Sequence, residues 1–407
     1  MTAILHIATL NTVGGHETAL CELVESRYIP FGIENYIYAL SNKVHPLLKK
    51  RLRSNHTPIS VSRSIFRINI PLFLSKAKFE LIKKHICPSL IIFWNCIGSI
   101  KHKYSWLYES NIPYIHYEHG NINSITFEQN KLDYLNSAQL IVANSYATSR
   151  HIALRFTPSS PIRVLLNALS ANFEKQYAHT KSFPLDRPFR IGVCGRLVAV
   201  KGFAIAIYAI KVLKERGHIL ELHIAGTGPE KNNLSELSSR LGLRDQITFH
   251  GLINPEDINL FYKNIDVLIV PSIRETFGKA CIEAQYMGCP VLVSRIEGLP
   301  ETIVEGKTGY SIAPTLDLDE YAEIGGSKKD LPKTVYNPEN DALMPSKALN
   351  PQHLAEKLMF IMQNPELYEK LSQNAHNTAK ERFSHENHIK ELWELFEEAM
   401  KSSRHHP

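Results

Sequence analysis

Short, mostly apolar runs alternate with helical patterns along this chain, and that alternation constrains its fold more than any other feature. In the first half the runs fall at residues 3–10, 36–40, 90–93, 113–117, 140–143 and 162–166. A strand that is apolar throughout, rather than at every second position, must be covered on both faces. That points to parallel α/β sheets with helices on either side. After the first run, residues 11–15 break the pattern with Gly14 and Gly15. A helix is then predicted from about His16, with Ala19, Leu20, Leu23 and Val24 on one face. The polar, proline-containing stretch 181–188 (KSFPLDRP) reads as a linker, after which the pattern restarts. Runs at 189–194, 220–225, 247–249, 267–270 and 291–294 form a second α/β block of about equal size. A length of 407 residues accommodates two such domains. The expected boundaries are 1–184, 185–384 and a terminal segment 385–407.

Residues 316–347 are polar and rich in glycine and proline, and read as a long surface loop or flap. The last helix, near 387–401, carries Ile389, Leu392, Trp393, Phe396 and Met400 on one stripe and should pack back on the first domain. Composition is ordinary for a globular protein, with 44% hydrophobic and 21% charged residues, which excludes a disordered or collagen-like chain. The six cysteines are scattered without a CxxC pair, so neither a zinc ribbon nor a thioredoxin-type site is expected, and a reducing cytosol fits. The first ten residues lack the features of a signal peptide, and no apolar run reaches the roughly 18 residues of a membrane span.

Three stretches of the second block carry chemistry. Strand 189–194 leads into Gly195-Arg196, and Lys201-Gly202 opens the next helix. Two cations beside a helix N-terminus suit a pyrophosphate, because fixed charge, dipole and outward-pointing amides all favour an anion. Residues 271–283 (PSIRETFGKACIE) place Glu275 in a strand-to-helix loop and Glu283 about two turns into a helix that Gly288 should end. Between the two carboxylates, Thr276, Phe277, Gly278 and Lys279 offer amides at the helix start. Carboxylates so spaced can accept from sugar hydroxyls at two ends of a nucleotide-sugar. Lastly, Gly226 and Gly228 in AGTGPE allow a tight turn at a strand's carboxyl end, where α/β sheets bind ligands.

Together these residues resemble the retaining glycosyltransferases of the two-Rossmann-domain (GT-B) type, within them family four. The matching positions are Gly195-Arg196 with Lys201-Gly202, the Gly226–Glu230 loop, His250-Gly251, Pro271-Ser272, Glu275 with Glu283, and Gly298-Leu299-Pro300-Glu301. The first half matches more loosely, through Gly14-Gly15-His16-Glu17 and a histidine after the fourth run. The resemblance implies two Rossmann-like domains facing across a cleft, with the last helix crossing back to the first. It implies that Arg196 and Lys201 hold the donor diphosphate, with Gly15 approaching it from the first domain. It further implies that Glu275 contacts the donor sugar and Glu283 the ribose, and that His119 contacts the transferred sugar or its leaving group. Gly195, Gly226, Gly228, His250, Thr276, Phe277 and Gly278 complete the expected donor site. Whether His116 or His119 of IPYIHYEHGN faces the cleft stays open, and Glu118 is expected to point away. The chain departs from the family in having Asn167-Ala168 where an Asn-Gly turn is usual, and in the length of 316–347.

The resemblance implies sugar transfer from a nucleoside diphosphate donor, UDP-sugar favoured, to a hydroxyl acceptor with retention. No cofactor or metal is expected, since Arg196, Lys201 and the helix dipole would neutralise the leaving diphosphate. The alternatives are transfer to a soluble small molecule or protein, a nucleotide-sugar epimerase of the same fold, and a non-catalytic basic scaffold. A dinucleotide oxidoreductase is disfavoured because Gly14-Gly15 does not fit G-x-G-x-x-G.

Charge is unevenly spread. Residues 43–84 hold eleven basic residues, Lys43, Lys49, Lys50, Arg51, Arg53, Arg63, Arg67, Lys76, Lys78, Lys83 and Lys84, against Glu80 alone, a net +10 in a chain whose total is +6. Ile65, Phe66, Ile68, Ile70, Leu72, Phe73 and Leu74 interleave with those charges. Such a surface suits anionic lipid, so a cytoplasmic enzyme peripheral to the inner face of the plasma membrane is expected. Its acceptor would be a lipid-linked or envelope-polysaccharide precursor. Nucleic acid is not an expected partner, because the aromatic and helix-in-groove features it needs are missing from the sequence.

Overall fold

The structure is a computed structural model. It describes residues 1–402 apart from 42, 63, 66, 67, 70, 100, 101, 121, 123, 124 and 177–179, with the side chains of 64, 65, 68, 69, 72, 73, 102–104 and 402 also outside the description. The elements and counts below are those of the described residues. The chain divides into two compact units, Met1–Leu166 with His385–Pro407, and Asn167–Ser384.

The first unit is built on a seven-stranded parallel sheet. Its strands are β1 (Thr2–Ala8), β2 (Ile33–Ala39), β3 (Ile59–Val61), β6 (Leu90–Trp94), β7 (Tyr114–Glu118), β8 (Leu140–Ala143) and β9 (Ile162–Val164), with a small antiparallel pair, β4 (Ser64–Ile65) and β5 (Ile68–Asn69), between β3 and β6. The spatial order is β3-β2-β1-β6-β7-β8-β9. The mostly apolar runs have their reason in this arrangement. Along β1, Ile4 and Ala8 enter one core, and Leu5 and Ile7 enter the core on the opposite face. His6 is the polar exception and is fully buried. Its Nδ1 accepts from the Trp94 indole at 3.0 Å and its Nε2 lies 2.9 Å from Asn35 Oδ1. Burial pushes the imidazole down to about 4, so it stays neutral and keeps Nδ1 as an acceptor.

The helix His385–Ser402 belongs to this unit, as its apolar stripe leads one to expect. Ile389, Leu392, Trp393, Phe396 and Ala399 are buried in the same core as Ile4, Ile92, Ile115 and Val142. His388 Nδ1 lies 2.9 Å from the Leu166 carbonyl, tying the helix to the end of the first segment.

The second unit repeats the plan with β10 (Phe189–Cys194), β11 (Leu220–Ala225), β12 (Ile247–Gly251), β13 (Val267–Val270), β14 (Val291–Ser294) and β15 (Gly309–Ile312), in the order β12-β11-β10-β13-β14-β15. All neighbours run parallel, with Ile191 beside both Leu222 and Val267. In each sheet the strand order reverses beside the first strand. Ligands of open α/β sheets bind at the carboxyl ends of the strands flanking such a reversal.

Three sequence expectations are corrected. The units part after Leu166, not after 184. The stretch read as a linker is docked on the second unit. Lys181 Nζ donates to the carbonyls of Tyr262, Lys263 and Ile265 at 2.7–3.0 Å, satisfying the end of the helix Ile258–Asn264, and Phe183 packs on Phe189 and Tyr368. Residues 316–347 are not a flap but a folded appendage. β16 (Pro314–Leu316) pairs with β19 (Ala348–Leu349), a helix spans Leu318–Glu323, and β17 (Thr334–Asn337) pairs with β18 (Ala342–Pro345) in a hairpin. Tyr321 and Val335 are almost fully buried, so the segment has its own anchors despite its polar composition. Among the described residues, no helix is long and apolar enough to cross a membrane.

Candidate active site

In the second unit the loops after β10 and β13 flank the reversal of strand order, and they are locked together. Ile273 N donates to Val200 O at 2.8 Å. Gly202 has φ +66°, and a Cβ there would stand 2.0 Å from the Pro271 carbonyl, so only glycine lets the two loops touch. This contact brings Lys201 and Glu275, 74 residues apart, into a direct ion pair. Both side chains are only partly exposed, Lys201 at 28% and Glu275 at 18%, so they remain within reach of a ligand while shielded from bulk water. Two helices start beside them. Phe203–Glu215 begins after Gly202 and Lys279–Tyr286 after Gly278, and neither has a side-chain cap. Helix starts of this kind favour an anion through their dipole and amides. Arg196 lies in the loop after β10 and is exposed.

Glu283 lies in the helix Lys279–Tyr286 and accepts from Tyr262 Oη at 2.9 Å, the same hydroxyl that lies 3.3 Å from Cys194 Sγ. Burial pushes the Cys194 thiol up to about 12. Burial likewise pushes the Tyr262 hydroxyl well above its ordinary range, so it keeps its proton and donates a hydrogen bond to Glu283. Gly226 and Gly228, expected to line the donor site, have a packing duty. A Cβ on Gly226, whose φ is +134°, would meet Gly195 O at 1.9 Å, and one on Gly228 would meet Leu197 O at 2.4 Å. The pair fits the loop after β11 under Gly195–Leu197, and Leu197 N donates to Thr227 O. The Phe277 side chain is buried against Phe383, so only its backbone can serve a ligand. His250 is exposed on β12, with Nε2 3.0 Å from His223 Nδ1 rather than bonded to the Lys201–Glu275 pair. Thr276 and Gly278 sit in the loop that carries Glu275.

Gly15 and His119 belong to the first unit. Gly15 is the exposed first residue of the helix Gly15–Val24, and a Cβ there would meet nothing within 4 Å, so packing within the chain does not require the glycine. His16 and His119 rings lie 6.5 Å apart, and His119 stacks on Trp94 at 5.7 Å. His119 N donates to Asn95 Oδ1, which fixes the residue just past β7. His116 is fully buried, with Tyr134 Oη at 3.0 Å and Glu118 Oε2 at 3.1 Å. Of the two histidines, His116 is thus enclosed and His119 is partly exposed. Glu118 is buried as well, accepting from Gly120 N. Beside His16 opens a cavity of about 390 Å³ lined mainly by polar residues, among them Thr9, Asn95, Ser99, Thr126 and Lys131. Burial holds the His16 imidazole below its ordinary range, against the pull of Glu17 and Glu118.

Sequence reasoning missed Glu297, which accepts from Glu275 N, as well as Tyr262 and Asn95. Tyr262 and Asn95 lie in stretches with no local sign of ligand chemistry, and Glu297 stands just before the Gly298–Glu301 motif without being part of it. What singles them out is the residue that folding sets beside them.

The family model for glycosyl transferases group 1 matches residues 175–324. The uncharacterized glycosyltransferase MJ1607 of Methanocaldococcus jannaschii is 30% identical over 186 residues, which is 44% of this chain and 47% of that protein. The capsular polysaccharide biosynthesis glycosyltransferase CapM of Staphylococcus aureus is 29% identical over 174 residues, 43% and 45% of the two chains. These matches thus span about half the length of the curated relatives. Across the whole fold, HepE of Anabaena, solved in complex with UDP, superimposes with a TM-score of 0.74 at 19% identity, covering 98% of this chain and all of the other. The loop that carries Lys201, the loop that carries Glu275 and the helix that carries Glu283 all lie inside the segment that matches the glycosyl transferases group 1 model, and the chain as a whole has the GT-B fold.

Proposed function

We propose that the protein is a retaining glycosyltransferase that moves a sugar from a nucleoside diphosphate-sugar to a hydroxyl acceptor. The observation that carries this reading is the Lys201–Glu275 pair, held at the carboxyl ends of β10 and β13 between two uncapped helix starts. An incoming diphosphate competes with Glu275 for Lys201. As the ammonium turns to the phosphate, the Glu275 carboxylate is released to accept from sugar hydroxyls. Arg196 adds the second positive charge. In the transfer the bond between the anomeric carbon and the phosphate oxygen breaks, the bond to the acceptor oxygen forms on the same face, and the acceptor proton passes to the leaving diphosphate. Charge developing on that leaving group is met by Lys201, Arg196 and helix amides, so no divalent ion is needed.

UDP-sugars are the favoured donors, and the nucleotide in the HepE complex is UDP. The polar lining of the 390 Å³ cavity beside His16 suits a hydroxyl-rich group more than an acyl chain. A lipid-linked acceptor would therefore present its sugar there. Incubation with a panel of nucleotide-sugars should release nucleotide slowly by hydrolysis, and the rate should survive EDTA. Loss of turnover in EDTA, restored by magnesium or manganese, would replace the metal-free mechanism with a metal-assisted one.

The same reading places the enzyme at the cytoplasmic face of a membrane, on an envelope-polysaccharide or lipid-linked precursor. Support comes from exposed Lys43, Lys49, Lys50, Arg53, Lys76 and Lys84, together with exposed Leu47, Leu74 and Leu81. Three other cations of the basic segment are engaged internally: Arg51 with Glu25, Lys78 with Val61 O and Lys83 with Glu80. Arg63, Phe66, Arg67 and Ile70 lie outside the described residues, as do the side chains of Ile65, Ile68, Leu72 and Phe73. Each juxtamembrane cation contributes about 1 kcal/mol near an anionic surface, weakened by salt. Flotation with anionic liposomes should show binding at low salt that fades at high salt. Equal behaviour with neutral liposomes would favour the second reading, transfer to a soluble small molecule.

A further inference from the structure

Building on the transferase reading, we propose that Glu297 is a positioning residue for Glu275, and that the appendage 316–347 braces it. Glu297 follows β14 and adopts φ +44°, in the left-handed region. A non-glycine residue held there is strained, and it persists only where surrounding contacts over-determine it. Its side chain is also buried, at 1% exposure for the residue, although a carboxylate is among the groups most costly to bury.

The contacts explain why both costs are borne. Glu297 Oε2 accepts from the Glu275 N–H at 3.1 Å, and Gly298 N donates to the Glu275 carbonyl at 3.2 Å. Residues 297 and 298 therefore grip the backbone of Glu275 by both its amide and its carbonyl. The fit is close: a Cβ on Gly298 would stand 2.1 Å from Thr276 O. On its other side, Glu297 N donates to Tyr336 O of β17 at 3.0 Å. Tyr336 is nearly buried, and its hydroxyl donates to Asp341 Oδ1 at 2.9 Å, closing the hairpin. Arg295, two residues before Glu297, pairs with Glu339 of the hairpin turn and donates to Ser311 O of β15. A continuous line of contacts thus runs from the hairpin through Glu297 to Glu275 and on to Lys201. The insertion acts on the placement of one carboxylate.

The left-handed backbone makes this testable in a way that separates positioning from stability. Glu297→Gly removes the carboxylate and relieves the backbone at once, while Glu297→Gln keeps an acceptor oxygen at the same reach. A misplacement of about 1 Å costs about 10²-fold in rate. For Glu297→Gly, kcat should fall about ten- to a hundredfold, with donor KM nearly unchanged and a melting temperature equal to or above the wild type. Glu297→Gln should recover most of kcat. Hydrogen exchange of the peptide spanning 271–279 should be faster in Glu297→Gly and close to wild type in Glu297→Gln. A purely structural Glu297 gives the reverse, a lower melting temperature with kcat per folded molecule unchanged, and that result overturns the proposal. Unchanged exchange at 271–279 in Glu297→Gly overturns it too, whether or not the wild type transfers sugar. Faster exchange in a protein whose wild type turns over no donor supports the positioning contact and fails only the transferase reading.

Discussion

Lys201→Ala should lower turnover about 10²–10³-fold, the usual loss when one preorganised charge contact to a developing charge is removed. Glu275→Ala should do the same. Neither change should move the melting temperature by more than a degree or two. The two groups form an ion pair with part of each side chain open to solvent, and pairs of that kind contribute only about 0–1 kcal/mol to stability. Neither side chain belongs to the apolar cluster of the second unit, so truncation opens no core cavity. The double variant should be little worse than either single one, because each group serves the same bound donor. Near-normal turnover by a folded Lys201→Ala protein would remove the diphosphate assignment, and with it the reason for placing the reaction at β10 and β13.

The second large effect is on stability. Phe396→Ala should destabilise the first unit by about 3–5 kcal/mol, the range for a fully buried phenylalanine. Phe396 lies at the far end of the sequence, yet it is 0% exposed and sits in the core beneath β1, β6 and β7. The experiment has a built-in reporter. The three tryptophans, Trp94, Trp106 and Trp393, all fall in the first unit, so their fluorescence follows that unit and not the other. The fluorescence midpoint in denaturant should drop sharply, while the transition of Asn167–Ser384, followed by hydrogen exchange, stays in place. A midpoint unmoved by Phe396→Ala would mean that the helix does not complete this core.

How much of this was legible beforehand differed by element. The central strands were, since β6 and β13 are apolar at every position and β14 at every position but its last, Ser294. β3 and β15 were not. One is three residues long within a strongly basic stretch, and the other (GYSI) is short and begins with glycine. The segment 316–347 was misread because its anchors, Tyr321 and Val335, are single residues scattered through polar sequence. Periodicity does not register an isolated anchor. The docking of 181–188 was hidden for a similar reason, as a lysine that meets three carbonyls has the same sequence signature as one in water.

By itself, the sequence determined the class of fold, the two-block plan, the stripe of the last helix, and the short motifs around Lys201 and Glu275. These are local properties. Burial on two faces requires continuous apolar runs, and tight turns require glycine within a few residues of the strand they end. Tertiary structure alone decided which residues meet. Lys201 reaches Glu275 because the strand order reverses between β10 and β13 and Gly202 lets their loops touch. His116 is enclosed by Tyr134 and Glu118, whereas His119 stays partly exposed. Glu297 is drawn to the Glu275 amide by a left-handed backbone and a hairpin forty residues further on. Contacts across such separations depend on how strands are ordered and loops are closed, which leaves no periodic trace in the residues themselves.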